Sequence, residues 1–182
     1  VVTGTWTTGQ LSVARYSLCA AASGDKIVFA GGSVTNGVPT NVVDIYDAAT
    51  NIWTTATLSE ARTNSAAVGL GGKIYIGGGS TATGLSKRVD IYDVTTNTWS
   101  IDSLSQEREL LNAGAARNLV MFAGGAGANG TPVYGTVDIL DTTSGTWTAT
   151  QLTVPRYIAA STSTPNRILF GGGATAAGIT GT

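Results

Sequence analysis

The chain has 182 residues, of which 42% are hydrophobic and 12% charged, and its formal net charge is −1. This composition is that of one globular domain with enough length for a sizeable core. The near-neutral charge excludes a basic surface that would hold nucleic acid through many phosphate contacts. Histidine is absent and Cys19 is the only cysteine, which removes the commonest general base and metal ligand and any disulfide within the chain.

An apolar run that ends in two glycines returns four times along the chain. The pairs are Gly31-Gly32, Gly78-Gly79, Gly124-Gly125 and Gly172-Gly173. An arginine stands sixteen positions before the first glycine of each pair, and a tryptophan stands nine positions before each arginine. Self-similarity with a period of 46 to 48 residues indicates a repeat architecture.

Each repeat is predicted to hold four antiparallel strands joined by hairpin turns. In the first complete repeat we expect strands near 17–22, 27–30, 43–47 and 53–55. Small residues dominate the first strand of every repeat, which suits a strand crowded beside a central axis. The fourth strand is rich in threonine, which suits an exposed edge. The predicted blade units are 1–10 (partial), 12–57, 59–103, 105–151 and 153–182 (partial).

Only one element changes in length from repeat to repeat, the loop that follows the glycine pair. This loop spans 33–42, 80–88 and 126–136 in the three complete units, whereas the tryptophan always stands six positions after the aspartate that ends the third strand. Constant scaffold distances with one variable loop family are typical of a rigid framework that presents adjustable loops on one face. We therefore expect these loops to form the contact surface.

The order of arginine, glycine pair, tyrosine and tryptophan resembles the kelch repeat. In the first complete unit these residues are Arg15, Gly31-Gly32, Tyr46 and Trp53. The resemblance covers essentially the whole chain, although Leu140 replaces the tyrosine in the third complete unit. It implies an all-β fold, a β-propeller of four-stranded antiparallel kelch blades with three complete blades and partial terminal blades. The Trp-Asp type of propeller repeat would show a Trp-Asp dipeptide and a Gly-His pair, and neither occurs.

Kelch proteins mostly bind other proteins, and a minority are oxidases or other enzymes. The resemblance therefore implies a non-enzymatic binding or structural module, without a cofactor, whose partner is a protein or a further copy of the chain. Kelch-like oxidases hold copper partly through histidine, and this chain has none. Two alternatives stay open, a fragment of a carbohydrate-active enzyme and the substrate-recognition part of an intracellular adaptor.

The repeated arginines are the first candidates for ligand contact, because four of them would form a ring that could grip an acidic ligand. Aspartates also recur at fixed distances, so that a structural ion pair explains both sets without a ligand and is the favoured interpretation. The arginines are Arg15, Arg62, Arg108 and Arg156, and the aspartates are Asp44, Asp90 and Asp138.

The loops and turns supply the other candidate residues. Asn129 begins a glycosylation sequon, with Pro132 immediately after it. The four tryptophans are expected to pack within the blades. The aspartates that end the third strands are expected to bond their own turns; they are Asp47, Asp93 and Asp141. Candidate ligand contacts in the loops are Asn36, Lys87, Arg88 and Tyr134.

Composition also bears on location and partners. Three lysines against a large excess of Thr, Ser, Ala and Gly favour an extracellular or cell-surface location, with the cytoplasm as the alternative. A glycan is a further candidate partner. No apolar run approaches the length of a membrane span, so we expect no membrane insertion.

The two ends of the sequence each match part of a repeat. The segment around Trp6 matches a fourth strand, and residues 174–182 match in length the loop after a glycine pair. The ends therefore frame one absent strand. We expect the chain to belong to a longer propeller or array, or to be completed by another copy; a small four-bladed ring is the third arrangement.

Overall fold

The fold consists of three four-stranded antiparallel sheets followed by a sheet of two strands and a short hairpin. The structure, a computed structural model, describes residues 4 and 6–181. The predicted all-β fold of four-stranded antiparallel blades is confirmed. We number the predicted ranges from residue 12 onward as units 1 to 4. Their strands are β1 (Cys19–Ser23), β2 (Lys26–Ala30), β3 (Val42–Asp47) and β4 (Ile52–Thr57); β5 (Ala66–Leu70), β6 (Lys73–Gly77), β7 (Arg88–Asp93) and β8 (Thr98–Ser103); β9 (Asn112–Ala116), β10 (Leu119–Ala123), β11 (Thr136–Asp141) and β12 (Thr146–Gln151); and β13 (Ala160–Thr164), β14 (Arg167–Gly171), β15 (Ala174–Thr175) and β16 (Gly178–Ile179).

The first strands of the four units pack against one another in series, β1 on β5, β5 on β9 and β9 on β13. Small residues make this approach possible. A Cβ placed on Gly69 of β5 would collide with the main-chain carbonyl of Ala22 in β1. The prediction that the first strands are crowded is therefore confirmed.

The hydrophobic core lies between successive sheets. Val28 and Ile45 of unit 1 pack with Ile74 and Ile76 of unit 2, and all four side chains are buried. A second cluster joins unit 2 to unit 3 in the same way, with Phe122 at its centre. Complete burial of one such side chain stabilises the fold by about 1.5–3 kcal/mol, so each unit depends on its neighbours for most of its core.

The glycine pair marks the place where one unit meets the next. Gly31 and Gly32 have φ values of 62° and 94°, which residues with a Cβ rarely adopt. A Cβ on Gly31 would collide with the carbonyl of Arg62 in the next unit, and a Cβ on Gly32 would lie 2.6 Å from the carbonyl of Tyr16. The repeated glycines are thus required by backbone conformation and by close packing together.

The tryptophans of the three complete units pack on their own blades as predicted. The rings of Trp53 and Tyr46 lie 5.0 Å apart, and those of Trp99 and Tyr92 lie 4.9 Å apart. Trp147 packs near Phe122, and its indole nitrogen donates to the Asp102 carboxylate of unit 2 at 2.7 Å.

The N-terminal segment differs from the prediction. Trp6 is 97% exposed, and residues 6–11 lie in no strand, although the segment was expected to form a fourth strand. The physical reason is that a strand needs a neighbour for its backbone groups, and no strand pairs with this segment among the described residues. The rest of the predicted 1–10 partial unit, residues 1–3 and 5, lies outside the described residues.

The C-terminal segment is more ordered than the loop that was predicted there. β15 and β16 form a short hairpin after the last glycine pair. Residue 182 lies outside the described residues. Unit 4 thus comprises the inner hairpin of a blade followed by this second, smaller hairpin.

Candidate functional site

Each complete unit contains one buried arginine–aspartate ion pair. The guanidinium of Arg15 lies 2.6 Å from the Asp44 carboxylate, and that of Arg108 lies 2.7 Å from Asp138. Arg62 pairs with Asp90 in the same manner. In all three pairs the arginine side chain is 0% exposed and the aspartate side chain 3% exposed.

The ion pairs tie the segment before the first strand to the second and third strands of the same unit. Arg15 donates to the carbonyl of Phe29 in β2 at 2.9 Å, and Arg108 donates to Phe122 in β10 at 3.1 Å. The other carboxylate oxygen of Asp44 accepts the main-chain N–H of Ser12 at 3.0 Å. The favoured structural interpretation of the recurring arginines and aspartates is therefore confirmed.

Burial and hydrogen bonding shift the pKa values of these groups in opposite directions. Burial lowers the pKa of the Arg62 and Arg108 guanidinium groups, and the neighbouring aspartates oppose that shift. Burial alone would raise the pKa of Asp44, but hydrogen bonds from Ser12 and Arg15 outweigh it, so the pKa falls.

Arg156 of unit 4 is also buried. Its guanidinium donates to the carbonyls of Val154 at 3.2 Å and Gly172 at 2.9 Å. Ligand contact by the four arginines stays a prediction; for Arg15, Arg62 and Arg108 it would require the ion pair to open.

A shallow depression lies where the four units meet at the end of the blades that carries the long loops. The same end holds the segments before the first strands, since isolated bridges join Tyr16 to Ser33 and Thr63 to Ser80. We call this end the loop face. The depression has a volume of about 250 Å³. It is lined by Ser17 and Leu18, Asn64 and Ser65, Leu110 to Asn112, and Ile158 and Ala159.

The residue two positions after each arginine has a left-handed backbone at this depression. The φ values are 53° for Ser17, 56° for Asn64, 56° for Leu110 and 52° for Ile158. Asparagine tolerates this conformation, whereas a β-branched residue such as isoleucine is strained in it. Strained backbone of this kind tends to persist at functional sites.

Backbone hydrogen bonds hold these four turns in a series. The N–H of Asn64 donates to the carbonyl of Ser17, that of Leu110 to Asn64, and that of Ile158 to Leu110, each at 3.1 Å. Side chains add to the series, because the Asn64 amide donates to the Glu109 carboxylate at 2.9 Å. Glu109 stands where the other units have tyrosine or threonine, and this bond accounts for that departure.

The loop residues predicted as ligand contacts lie in separate loops. Asn36 is exposed within the 3-10 turn Thr35–Gly37 of unit 1. Lys87 and Arg88 are exposed in unit 2, beside a groove of about 320 Å³ that Glu60 and Glu107 also line. Tyr134 of unit 3 is half-buried. Their role in binding stays a prediction.

The glycosylation candidate lies at an accessible place. Asn129 is exposed within the 3-10 turn Ala128–Gly130, with a φ of 59°. Its position in a loop is that expected of a modified sequon. Glycosylation itself stays a prediction.

Within residues 4 and 6–181, no group of three or more Cys, Asp or Glu side chains is arranged to hold a metal ion. No helix of this part of the chain is long and apolar enough to cross a membrane.

Little in the sequence indicates the depression. Its lining is set by the position two residues after each arginine, where serine, asparagine, leucine and isoleucine share neither charge nor size. Their shared position relative to the arginines is the one signal in the sequence that groups these four residues. Their left-handed backbone could not be predicted, because leucine and isoleucine disfavour that conformation.

A comparison with models of protein families identifies the family to which these repeated blades belong. The model described as the KLHDC2/KLHL20/DRC7 Kelch-repeats domain matches residues 2–173. The chain belongs to the kelch-repeat family. No curated protein sequence matches the chain. Kelch-repeat domains generally serve as protein-binding modules, and membership of this family supports a protein-interaction module.

Proposed function

We propose that this kelch-repeat chain recognises a protein partner through the loop face, with the central depression as the principal contact and the three variable loops around it. The single observation that carries the proposal is the set of four left-handed turns around the depression. Two of them place leucine and isoleucine in a conformation that these residues disfavour. Hydrogen bonds between the units hold the turns in this conformation, and backbone strain that a fold maintains in this way tends to lie at functional sites.

Exposed apolar side chains on the loop face support a protein partner. Tyr16 is 56% exposed and Ile158 is 61% exposed. Tyrosine is among the residues that most often dominate the binding energy of protein interfaces. The depression is shallow, so it suits a peptide segment or a loop of a folded partner better than a deeply enclosed small molecule.

We also propose a location for the protein and a modification of its loop face. An extracellular or cell-surface location is supported by the composition and by the exposed sequon at Asn129. Kelch domains also often serve as intracellular adaptors, and this is the alternative. Expression through a secretory pathway tests the sequon: a mass increase lost in Asn129→Gln supports glycosylation, and an unmodified secreted chain contradicts it.

Selection of peptides from a random display library against the immobilised chain tests recognition by the loop face. We expect the selected peptides to lose roughly tenfold or more in affinity for the variants Tyr16→Ala and Ile158→Gly. Ile158→Gly also relieves the left-handed strain, so binding should fall while the unfolding midpoint is maintained.

The matched control is Thr50→Ala, an exposed position in the turn between β3 and β4 at the opposite end of the blade. Peptides that bind this variant and the wild type equally, but not Tyr16→Ala, support the proposal. Binding that survives both loop-face substitutions would place recognition elsewhere on the molecule.

A further inference from the structure

One carboxylate on the loop face is buried without a cationic partner. Glu109 of unit 3 is 8% exposed, and none of the ion pairs formed among residues 4 and 6–181 includes it. Its carboxylate oxygen Oε2 accepts the side-chain N–H of Asn64 at 2.9 Å. An ionised carboxylate that leaves water needs a cation or several hydrogen bonds to offset the lost hydration, and one neutral amide supplies only a small part of that.

The second carboxylate oxygen of Glu109 is available to a ligand. Oε1 accepts no hydrogen bond from the described chain and keeps contact with solvent. An ionised carboxylate has about four sites at which it can accept a hydrogen bond. The Glu109 side chain can therefore accept a donor from outside the chain while its bond to Asn64 stays in place.

Glu109 adjoins the depression at the centre of the loop face. Asn64, which holds its carboxylate, and Leu110, which follows it in the chain, both line the depression. The main-chain N–H of Glu109 donates to the carbonyl of Ala126 at 3.0 Å, and its carbonyl accepts the N–H of Ala126 at 2.8 Å. Units 2 and 3 thus hold the carboxylate in a defined place.

The surroundings of Glu109 are otherwise uncharged. None of the side chains that line the depression carries a charge. Arg62 and Arg108 precede Asn64 and Glu109 in the chain, and each is paired with an aspartate of its own unit. Glu109 therefore gives this part of the loop face a negative charge that no neighbouring side chain compensates within the described chain.

The fold does not require a carboxylate at this position. The counterparts of Glu109 in the other units are Tyr16, Thr63 and Tyr157. Between units 1 and 2 the equivalent contact is made by the Thr63 hydroxyl, which donates to the Ser17 carbonyl at 3.3 Å. A neutral side chain is thus sufficient for the contact between units, and the contact alone does not explain the charge.

We propose that Glu109 binds a cationic side chain, a lysine ammonium or an arginine guanidinium, which the protein partner places at the depression. This role rests on the proposed function, since the cation belongs to the partner that the loop face recognises. Asn64 orients the carboxylate through Oε2, and the cation donates to Oε1. A hydrogen bond between charged groups is roughly twice as strong as a neutral one, and salt screens it little when the pair is nearly enclosed.

The apolar residues of the depression suit the same ligand. Leu110, Leu111 and Ile158 line it beside the polar side chains. Lysine and arginine carry apolar stems that pack on such residues while the charged end reaches a polar group. We therefore expect the partner to place the stem of its basic residue against these side chains and the charged end on Glu109.

Peptides selected from a random display library against the immobilised wild-type chain test the role of Glu109. We expect them to share a lysine or an arginine at one position. Glu109→Gln removes the charge and keeps an oxygen that can accept from Asn64. Its affinity for such a peptide should be lower by roughly tenfold or more, with an unchanged unfolding midpoint. Isothermal titration calorimetry measures the affinity.

A copy of the peptide with glutamine in place of the basic residue completes a double-mutant cycle. The wild type and Glu109→Gln should bind this copy equally, because the charged pair is already absent. Asp25→Asn is the matched control on the protein, since it removes one negative charge from an exposed side chain in the turn between β1 and β2, at the opposite end of the blade. It should bind the basic peptide as the wild type does.

Other results would overturn the proposal. Selected peptides without a shared basic residue would show that recognition needs no cation. Equal losses for the basic peptide and its glutamine copy would show that Glu109 acts through the structure of the depression. Unchanged binding by Glu109→Gln together with a loss in Tyr16→Ala would exclude the cation site and leave recognition by the loop face intact. Unchanged binding by both variants would exclude the cation site and the proposed function together.

Discussion

Unit 1 and unit 2 place the same apolar pattern in two different environments. Ile27 of β2 and Ile74 of β6 occupy the same position of the repeat, yet Ile74 is 0% exposed and Ile27 is half-buried. The side of unit 2 that carries Ile74 packs against unit 1, whereas the side of unit 1 that carries Ile27 has no preceding unit within the described chain. The sequence of a repeat therefore sets which side chains could be buried, and the adjacent unit determines whether they are.

Contacts within a unit show no such difference. The ion pairs Arg15–Asp44 and Arg62–Asp90 have the same side-chain exposures, 0% for the arginine and 3% for the aspartate. The side chains of the pair are thus equally buried in unit 1, which has no preceding unit within the described chain, and in unit 2, which has one. The position of a unit in the stack should therefore change how much its contacts with other units contribute to the free energy of unfolding. The contribution of contacts within the unit should stay the same.

The largest effect is expected from the ion pairs. Arg15→Ala and Arg62→Ala should each lower the free energy of unfolding by about 3–5 kcal/mol, because each leaves a buried aspartate without its partner. Equilibrium denaturation in urea measures both. The two losses should agree within experimental error.

Arg88→Ala is the control for the ion pairs. Arg88 lies 3.5 Å from Glu60, and their side chains are 48% and 30% exposed. An exposed pair contributes only about 0–1 kcal/mol, so the midpoint should hardly change. A much smaller loss for Arg15→Ala than for Arg62→Ala would contradict the view that the pair acts within its unit.

The next effect distinguishes the two environments directly. Ile74→Ala should lower the free energy of unfolding by about 2–5 kcal/mol, since it leaves a cavity in a closed core. Ile27→Ala should lower it by only about 1–2 kcal/mol, because that side chain is already partly exposed. The same urea titrations provide the comparison, and equal losses would show that the side of unit 1 that carries Ile27 is covered in solution.

Much of the blade could be predicted because it depends on local spacing. The recurring arginine, glycine pair and tryptophan predicted the four-strand order, and the recurring Asp90 and Asp138 predicted partners for Arg62 and Arg108. These features lie within one unit, so the period of the sequence contains the information that they need.

The features that could not be predicted depend on more than one unit. The left-handed conformation of Ile158 contradicts its intrinsic preference and depends in part on the hydrogen bond to Leu110 of unit 3. Trp6 lies in a strand-like sequence but forms no strand, because pairing requires a neighbour that the local sequence does not reveal.

A smaller effect should separate unit 2 from unit 3. The Tyr92 hydroxyl bonds the Asn97 side chain at 2.6 Å, and Asn97 has a φ of 55°. In unit 3 these positions hold Leu140 and Gly145, which need no such bond, and Gly145 has a φ of 71°. Asn97→Gly should cost about 1 kcal/mol through the lost hydrogen bond, whereas Gly145→Asn should be nearly neutral because asparagine tolerates the conformation. Equal losses by thermal unfolding would contradict this.

The smallest effect on stability concerns the aspartates in the turns after the third strands, and it depends on pH. The Asp93 carboxylate accepts the main-chain N–H groups of Thr96 and Thr95 at 3.1 and 3.0 Å, and these bonds lower its pKa. A carboxyl group with a lowered folded-state pKa stabilises the protein above its unfolded pKa of about 3.9, and the contribution is lost as the pH falls through the folded value. Asp93→Asn should therefore lower the unfolding midpoint at about pH 7, and the difference from wild type should narrow below about pH 4.

Asp47→Asn in unit 1 should behave in the same way. The hydrogen bond from Lys26 is the main cause of the lowered pKa of Asp47, and salt screens exposed charge pairs. The difference in unfolding midpoint between Asp47→Asn and the wild type should therefore be larger at low salt. A difference that stays constant from about pH 7 to about pH 2 would show that the Asp93 side chain acts through its shape and not its charge.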